Sequence, residues 1–387
     1  MDRQIWEDFD GVPVEVGDYS PVFSWKKLWR YTGPGWMMSI AYIDPGNLES
    51  DLQTGVVAGY KLIWLLFLSH ALGLFVQILA SRIGTATGRH LAQQCRDNYP
   101  RWMTFCLWIF AELAIIGSDI QEVIGSAIAL RLLLGVSMWQ GILAAAMIGY
   151  VTLAVQRSGV RLTELLFMSM IGVVVVCFLI EAHLSHPRYR EIAEGLLIPR
   201  LPSKAMVQAV GMIGAVIMPH NLFLHSALVQ SRRIPRGNES QQLIREANFY
   251  YALESAGALL ISFIINASIV TVFANTYHYQ TSIGSMSRPE GNGSLPGLYD
   301  AAEVLLQLFG KAGPLLWALG LLSAGESSTM TGTMAGQFVM EGMLNLRISP
   351  FYRMLVTRSI SLIPTMIIGI LATNYLDLLG EWLNVLQ

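Results

Sequence analysis

The chain has 387 residues, 53% hydrophobic and only 13% charged, with a net charge of −2. Soluble domains carry about a quarter charged residues, so this composition belongs to a protein with several membrane spans. No run of Lys or Arg and no zinc-like cysteine spacing points to nucleic acid, and the scattered Cys95, Cys106 and Cys177 imply no disulfide framework.

Residues 1–24 contain no signal peptide and lean acidic (Asp2, Glu7, Asp8, Asp10, Glu15, Asp18), which predicts a disordered cytosolic N-terminal tail. Apolar stretches of spanning length follow at about 30–58, 61–83, 103–130, 139–156, 162–184, 206–230, 248–274, 312–338 and 354–373. Another begins near Leu376, and the sequence given stops at Gln387. The expectation is an all-α membrane protein with nine transmembrane helices plus the start of a tenth, and no soluble domain between them.

Positive charge sets the orientation. With the N-terminus in the cytosol, 17 of the 25 Lys and Arg fall on the inner side, among them Lys26, Lys27, Arg30, Arg89, Arg96, Arg232 and Arg233. The remaining 8, including Lys61, Arg131, Arg188 and Lys311, fall outside. The loop 276–300 is then external and carries Asn292-Gly293-Ser294, a glycosylation acceptor. Asn266-Ala267-Ser268 has the same pattern but lies mid-membrane, which excludes it as an acceptor.

Two spans are interrupted. Ala41-Tyr42-Ile43-Asp44-Pro45-Gly46-Asn47 breaks the first, and Ala215-Val216-Ile217-Met218-Pro219-His220-Asn221 breaks the sixth. Either proline alone reads as a kink in a packed helix. Two interruptions five spans apart, each flanked by polar or soft ligands, are the signature of an inverted five-helix repeat with a midplane site. The repeats are expected over 25–204 and 205–387, the second incomplete where the sequence stops.

The ligands at the breaks suit a cation. Asp44 offers an anionic oxygen and Asn47 a neutral one. Broken helical hydrogen bonds expose main-chain carbonyls, here assigned to Ala41 and Ala215, at the negative ends of two half-helices. Met218 adds a thioether, which does little for Ca²⁺ or Mg²⁺ but helps Mn²⁺, Fe²⁺, Co²⁺ or Cd²⁺ compete. In a chain with 18 Met, the alternative for Met218 is a gap-filling core residue.

The third span carries Glu112, Asp119 and Glu122, whose spacings of seven and three put all three on one helical face. Such a stripe can hand protons along, with His220 and His225 as titratable neighbours and Arg358 as an electrostatic partner. The alternatives are a structural ion-pair network for the acids and a satisfied core histidine for His225.

These stretches resemble a known family. Asp44-Pro45-Gly46-Asn47, the run Gly117–Gly125, Met218–Ser226, Gly325–Thr333 and Ala335–Gly342 are similar to the motifs of the natural-resistance-associated macrophage protein (Nramp) family of divalent metal transporters. The resemblance covers about Phe23 to the end. It implies a leucine-transporter-like fold and proton-coupled import of Mn²⁺ or Fe²⁺ into the cytosol, with no resident cofactor. The matching metal ligands are Asp44, Asn47, Met218, Ala41 and Ala215. The matching proton route is Asp44, His220, Glu112, Asp119 and Glu122. The tail and the external loop resemble eukaryotic members, which implies a plasma-membrane or endosomal and lysosomal setting. Two departures stand out: Glu326 replaces the family's Gln at the inner end of the eighth span, where it is expected to be solvated, and the tenth span is not complete.

Three functions follow, with divalent metal ions, protons and the lipid bilayer as partners and the oligomeric state left open. The first is the proton-coupled importer, working by alternating access. The second is a non-transporting metal-binding sensor or scaffold. The third is an intramembrane metalloenzyme, for which His220 and His225 form one H-x4-H pair but no second box exists among seven His.

Overall fold

The computed structural model describes residues 12–13, 23–156, 160–234, 240–280, 295–346 and 350–372. The candidate glycosylation acceptor Asn292, the stretch from Leu376 and most of the tail lie outside the described residues. Val12–Pro13 pairs in parallel with Arg232–Arg233, so part of the stretch expected to be a free tail is docked.

Apart from that strand pair, the elements of the described residues are helices: α1 (Trp25–Tyr31), α2 (Pro34–Ser39), α3 (Pro45–Ala58), α4 (Ile63–Thr87), α5 (Leu91–Asn98), α6 (Arg101–Leu134), α7 (Met138–Gln156), α8 (Val160–Leu184), α9 (Tyr189–Leu197), α10 (Met206–Val216), α11 (Pro219–Leu228), α12 (Ser240–Phe273), α13 (Leu298–Phe309), α14 (Ala312–Leu344) and α15 (Pro350–Ala372). Each stretch read as a span contains helix. Five described segments are long and apolar enough to cross a membrane by length and composition alone.

The short helices α1, α5, α9 and α13 are additions that hydropathy does not reveal, because they are polar on one face. The long helices also overrun their apolar stretches. α12 begins at Ser240, ahead of the predicted 248, because its polar first turns are held from outside, as where Lys27 Nζ bonds Glu246 at 2.8 Å.

Packing is inside-out relative to a soluble protein in one respect. Large apolar side chains such as Phe75, Phe110, Leu113, Val207, Val210 and Ile363 are exposed in bands along the helices, which is what a lipid environment accepts. The interior centres on α6 against α14. Leu48 and Leu52 of α3 join Ile124 and Ile128 of α6 and Trp317 and Leu321 of α14 in one buried cluster. α6 passes close to the first break: a Cβ on Gly125 would lie 2.5 Å from the Pro45 ring. The approach requires glycine there.

Candidate metal site at two broken helices

The first break is local chemistry. α2 tightens into a 3-10 turn at Ile40–Tyr42, Ile43 leaves helical geometry, and Asp44 becomes the N-cap of α3 with Pro45 at its first position. Asp44 Oδ1 accepts from the Asn47 N–H and from Asn47 Nδ2, both at 2.7 Å. Asp44 Oδ2 is buried with no hydrogen-bond partner.

The second break mirrors it. α10 ends at Val216, Ile217 has φ −102° and ψ 73°, and Met218 caps α11 with Pro219 at its first position. The two meet through Asn47, whose Nδ2 also donates to the Ala215 carbonyl at 3.1 Å. Asp44, Asn47 and Ala215 are thus joined across 168 residues of chain. Ala41 and Met218 flank the same breaks, Ala41 buried and Met218 half-buried, and no hydrogen bond joins either directly to Asp44.

The carbonyls released at the first break have partners that sequence reasoning missed. Ser262 Oγ donates to the Ser39 carbonyl at 3.1 Å, and Asn266 Nδ2 donates to the Tyr42 carbonyl at 2.8 Å. Asn266 therefore braces the unwound segment. A polar residue in mid-span was the available signal. Gln121 on α6 was also missed, and its side-chain oxygen lies against Gly46.

The third-span acids sit on α6 as predicted, and hydroxyls meet two of them. Glu122 Oε1 accepts from Ser118 at 2.9 Å and from Ser328 on α14 at 2.7 Å. Asp119 accepts from Ser361 on α15. Glu112, half-buried, accepts from Trp108 Nε1 at 3.1 Å. His220 is buried with Nδ1 unpartnered, and His225 is fully buried beside Pro34, with neither ring nitrogen in a hydrogen bond of good geometry. Arg358 lies on α15, and its side chain is outside the described residues. Glu326 corrects an expectation. It is 3% exposed in the middle of α14, not solvated at an inner end, because that helix continues to Leu344 and packs the polar run Glu326–Thr333 against its neighbours.

The start of α2 is clamped from three elements. Glu254 of α12 accepts from the Gly33 N–H at 2.6 Å and the Trp36 N–H at 3.3 Å. Arg232 pairs with Glu164 of α8 at 2.8 Å, donates to the Arg30 carbonyl at 3.0 Å, and donates to the Thr32 carbonyl. Gly33 has φ +144°, and a Cβ there would overlap the Glu164 carboxylate, so only glycine fits. Glu164 and Glu254 are acids in largely apolar helices. An acid in an apolar stretch is the signal that marks them in the sequence.

Two discontinuous helices joined through Asn47 beside the Asp44 carboxylate, inside a bundle banded for lipid, are the arrangement of the broken-helix class of transporters. The chain belongs to the natural resistance-associated macrophage protein-like family, whose profile matches residues 35–387. It is 49% identical over 366 residues to the "Metal transporter nramp1 homolog" of Dictyostelium discoideum, covering 94% of this chain and 66% of that one. It is 47% identical over 395 residues to the "Metal transporter Nramp4" of Arabidopsis thaliana, covering 100% of this chain and 74% of that one. A crystal structure of the Eremococcus coleocola manganese transporter superposes with a TM-score of 0.84 at 31% identity, covering 100% of this chain and 79% of that one. The nucleobase-cation-symport transporter Mhp1, at TM-score 0.60 and 14% identity over 97% of this chain and 77% of that one, shares the fold alone. The protein is therefore an integral membrane protein of a transporter family, and not the metalloenzyme that H-x4-H left open.

Proposed function

We propose that the protein imports a divalent transition metal, Mn²⁺ or Fe²⁺, driven by proton influx and with no resident cofactor, with alternating access around the two breaks. One observation carries the reading. The Asn47 –NH₂ group stands where the Asp44 carboxylate and the Ala215 carbonyl converge, donating to both. A place where two acceptors are bridged by a donor is one that a cation can take over. Rotation of the Asn47 amide would then present its oxygen instead, and Asp44 Oδ2 is already unpartnered.

In this reading Asp44, Asn47, Met218 and the Ala41 and Ala215 carbonyls replace the hydration shell. The Met218 thioether favours transition metals over Ca²⁺ and Mg²⁺. Glu112, Asp119 and Glu122, with Asp44, His220, His225 and Arg358, carry or tune the coupled proton. Residues 25–204 and 205–387 act as the two inverted repeats, the N-terminus is cytosolic, and the host membrane is the plasma membrane or an endosomal or lysosomal one. The names of the relatives and the manganese substrate of the Eremococcus coleocola protein support this substrate class.

The test is Mn²⁺ uptake into proteoliposomes under an imposed pH gradient, with Ca²⁺ as competitor. Gradient-dependent uptake that resists Ca²⁺ and disappears in Asp44→Ala is expected. Uptake in Asp44→Ala equal to wild type would refute the site. Mn²⁺ binding with no flux under any gradient would favour the sensor or scaffold reading.

A further inference from the structure

The unpartnered polar atoms do not stop at Asp44. Farther along α3, Ser50 Oγ, Asp51 Oδ2 and Thr54 Oγ1 are also buried without a hydrogen bond. These residues are 1%, 2% and 0% exposed. Asn47, Ser50, Asp51 and Thr54 follow the i, i+3, i+4, i+7 pattern of one helical face. Native interiors leave few polar atoms unsatisfied, so a stripe of them on one face requires an explanation.

The neighbouring helix supplies a matching group. α3 starts at its break and α10 ends at its own, and Ala58 at the far end of α3 shares a cluster with Ala205 and Ala209 at the start of α10. The helices therefore run antiparallel, in register at Asn47–Ala215. A rise of about 1.5 Å per residue puts Thr54 and Gln208 at one level, about 10 Å from that contact, with Asp51 between. Gln208 Oε1 is also buried and unpartnered. The residue across from Asp51 is Gly211, which carries no side chain.

Asp51 is not explained as structural glue. The other acid on this segment, Glu49, is engaged: it accepts from Gln53 at 2.7 Å and from the Leu298 N–H at 2.8 Å. Among the described residues no ion pair and no hydrogen bond to the Asp51 carboxylate is present, and Asp44, a like charge, lies close enough to repel it. A buried carboxylate in that position is costly unless something positive accompanies it.

We infer that Asp51, with Thr54 Oγ1 and Gln208 Oε1, forms a second cation station on the approach to Asp44, between α3 and α10. This rests on the reading of the broken-helix site given above. The ligands are oxygens alone, with no sulfur, so the station takes Ca²⁺ as readily as Mn²⁺ and leaves discrimination to the site that includes Met218. An ion there also offsets the repulsion between Asp51 and Asp44.

The experiment counts Mn²⁺ bound to the purified full chain in nanodiscs, by loss of the free-ion electron paramagnetic resonance signal. Wild type is expected to show one tight and one weaker site. Asp44→Ala/Met218→Ala should keep only the weaker, displaceable by Ca²⁺, and adding Asp51→Asn should remove it. Thr54→Val and Gln208→Met, which preserve volume, should each weaken it in that background. In proteoliposomes Asp51→Asn should raise KM for Mn²⁺ by a larger factor than it lowers kcat. No residual binding in Asp44→Ala/Met218→Ala, or a weaker site indifferent to Asp51→Asn, would overturn the station. A tight site and uptake unchanged by Asp44→Ala would instead overturn the reading beneath it.

Discussion

Replacing Arg232 with Met tests the clamp on α2. The Arg232 guanidinium is fully buried, and its Glu164 partner is 4% exposed. Removing one member of such a pair leaves an uncompensated buried charge, at a cost of about 3–5 kcal/mol. The cost falls on any arrangement that keeps the start of α2 tucked against α8 and α12. At about 1.4 kcal/mol per tenfold, the population with α2 released should rise by about two to three and a half decades. Met38 on α2 is 1% exposed and packed among Phe167, Leu224 and Phe338, so a cysteine there reports release. The assay is the rate at which a water-soluble thiol reagent modifies Met38→Cys, with Cys95, Cys106 and Cys177 replaced by Ser. Arg232→Met should accelerate modification by the stated range. Arg232→Met/Glu164→Leu should recover most of it, because no lone charge remains, though the Arg30 and Thr32 carbonyls still lose their donor. Equal rates in parent and Arg232→Met, or a double variant faster than the single, would refute the reasoning.

Met218→Ala should relax discrimination against Ca²⁺ in competition uptake by more than it lowers Mn²⁺ transport, since it removes the one soft ligand. Glu49→Ala should strip the acceptor from the Leu298 N–H at the start of α13, a loss of about 1–3 kcal/mol for a buried donor. Hydrogen exchange at Leu298–Ala301 should accelerate accordingly, while α14 stays protected. His90, outside the spanning segments, is held down to about 3 by burial and then by Arg96. The unfolded chain protonates it near 6.5 and the folded one does not, so the folded state loses about 1.4 kcal/mol per pH unit as pH falls through that window. Denaturant unfolding at pH 7 and pH 5 should show His90→Asn losing less stability than wild type between the two.

Elements that depend on near neighbours follow from the order of residues alone. Pro45 and Pro219 lack the N–H that a continuous helix needs, and Asp44 caps the helix that restarts after it, so both breaks were legible from a few residues each. The same locality put Glu112, Asp119 and Glu122 on one face. Which faces meet is a property of the assembled bundle. Asn47 reaches Ala215, Ser328 reaches Glu122 and Asn266 reaches the Tyr42 carbonyl through helix packing, and no spacing along the chain encodes those pairings. Glu326 was misplaced for that reason: its helix outlasts the apolar stretch, and burial belongs to the assembled bundle rather than to the segment. Glu49, Glu164, Glu254 and Arg232 are legible only through partners distant in the chain: Glu49 meets the Leu298 N–H, Glu164 meets Arg232, and Glu254 meets the Gly33 and Trp36 N–H groups.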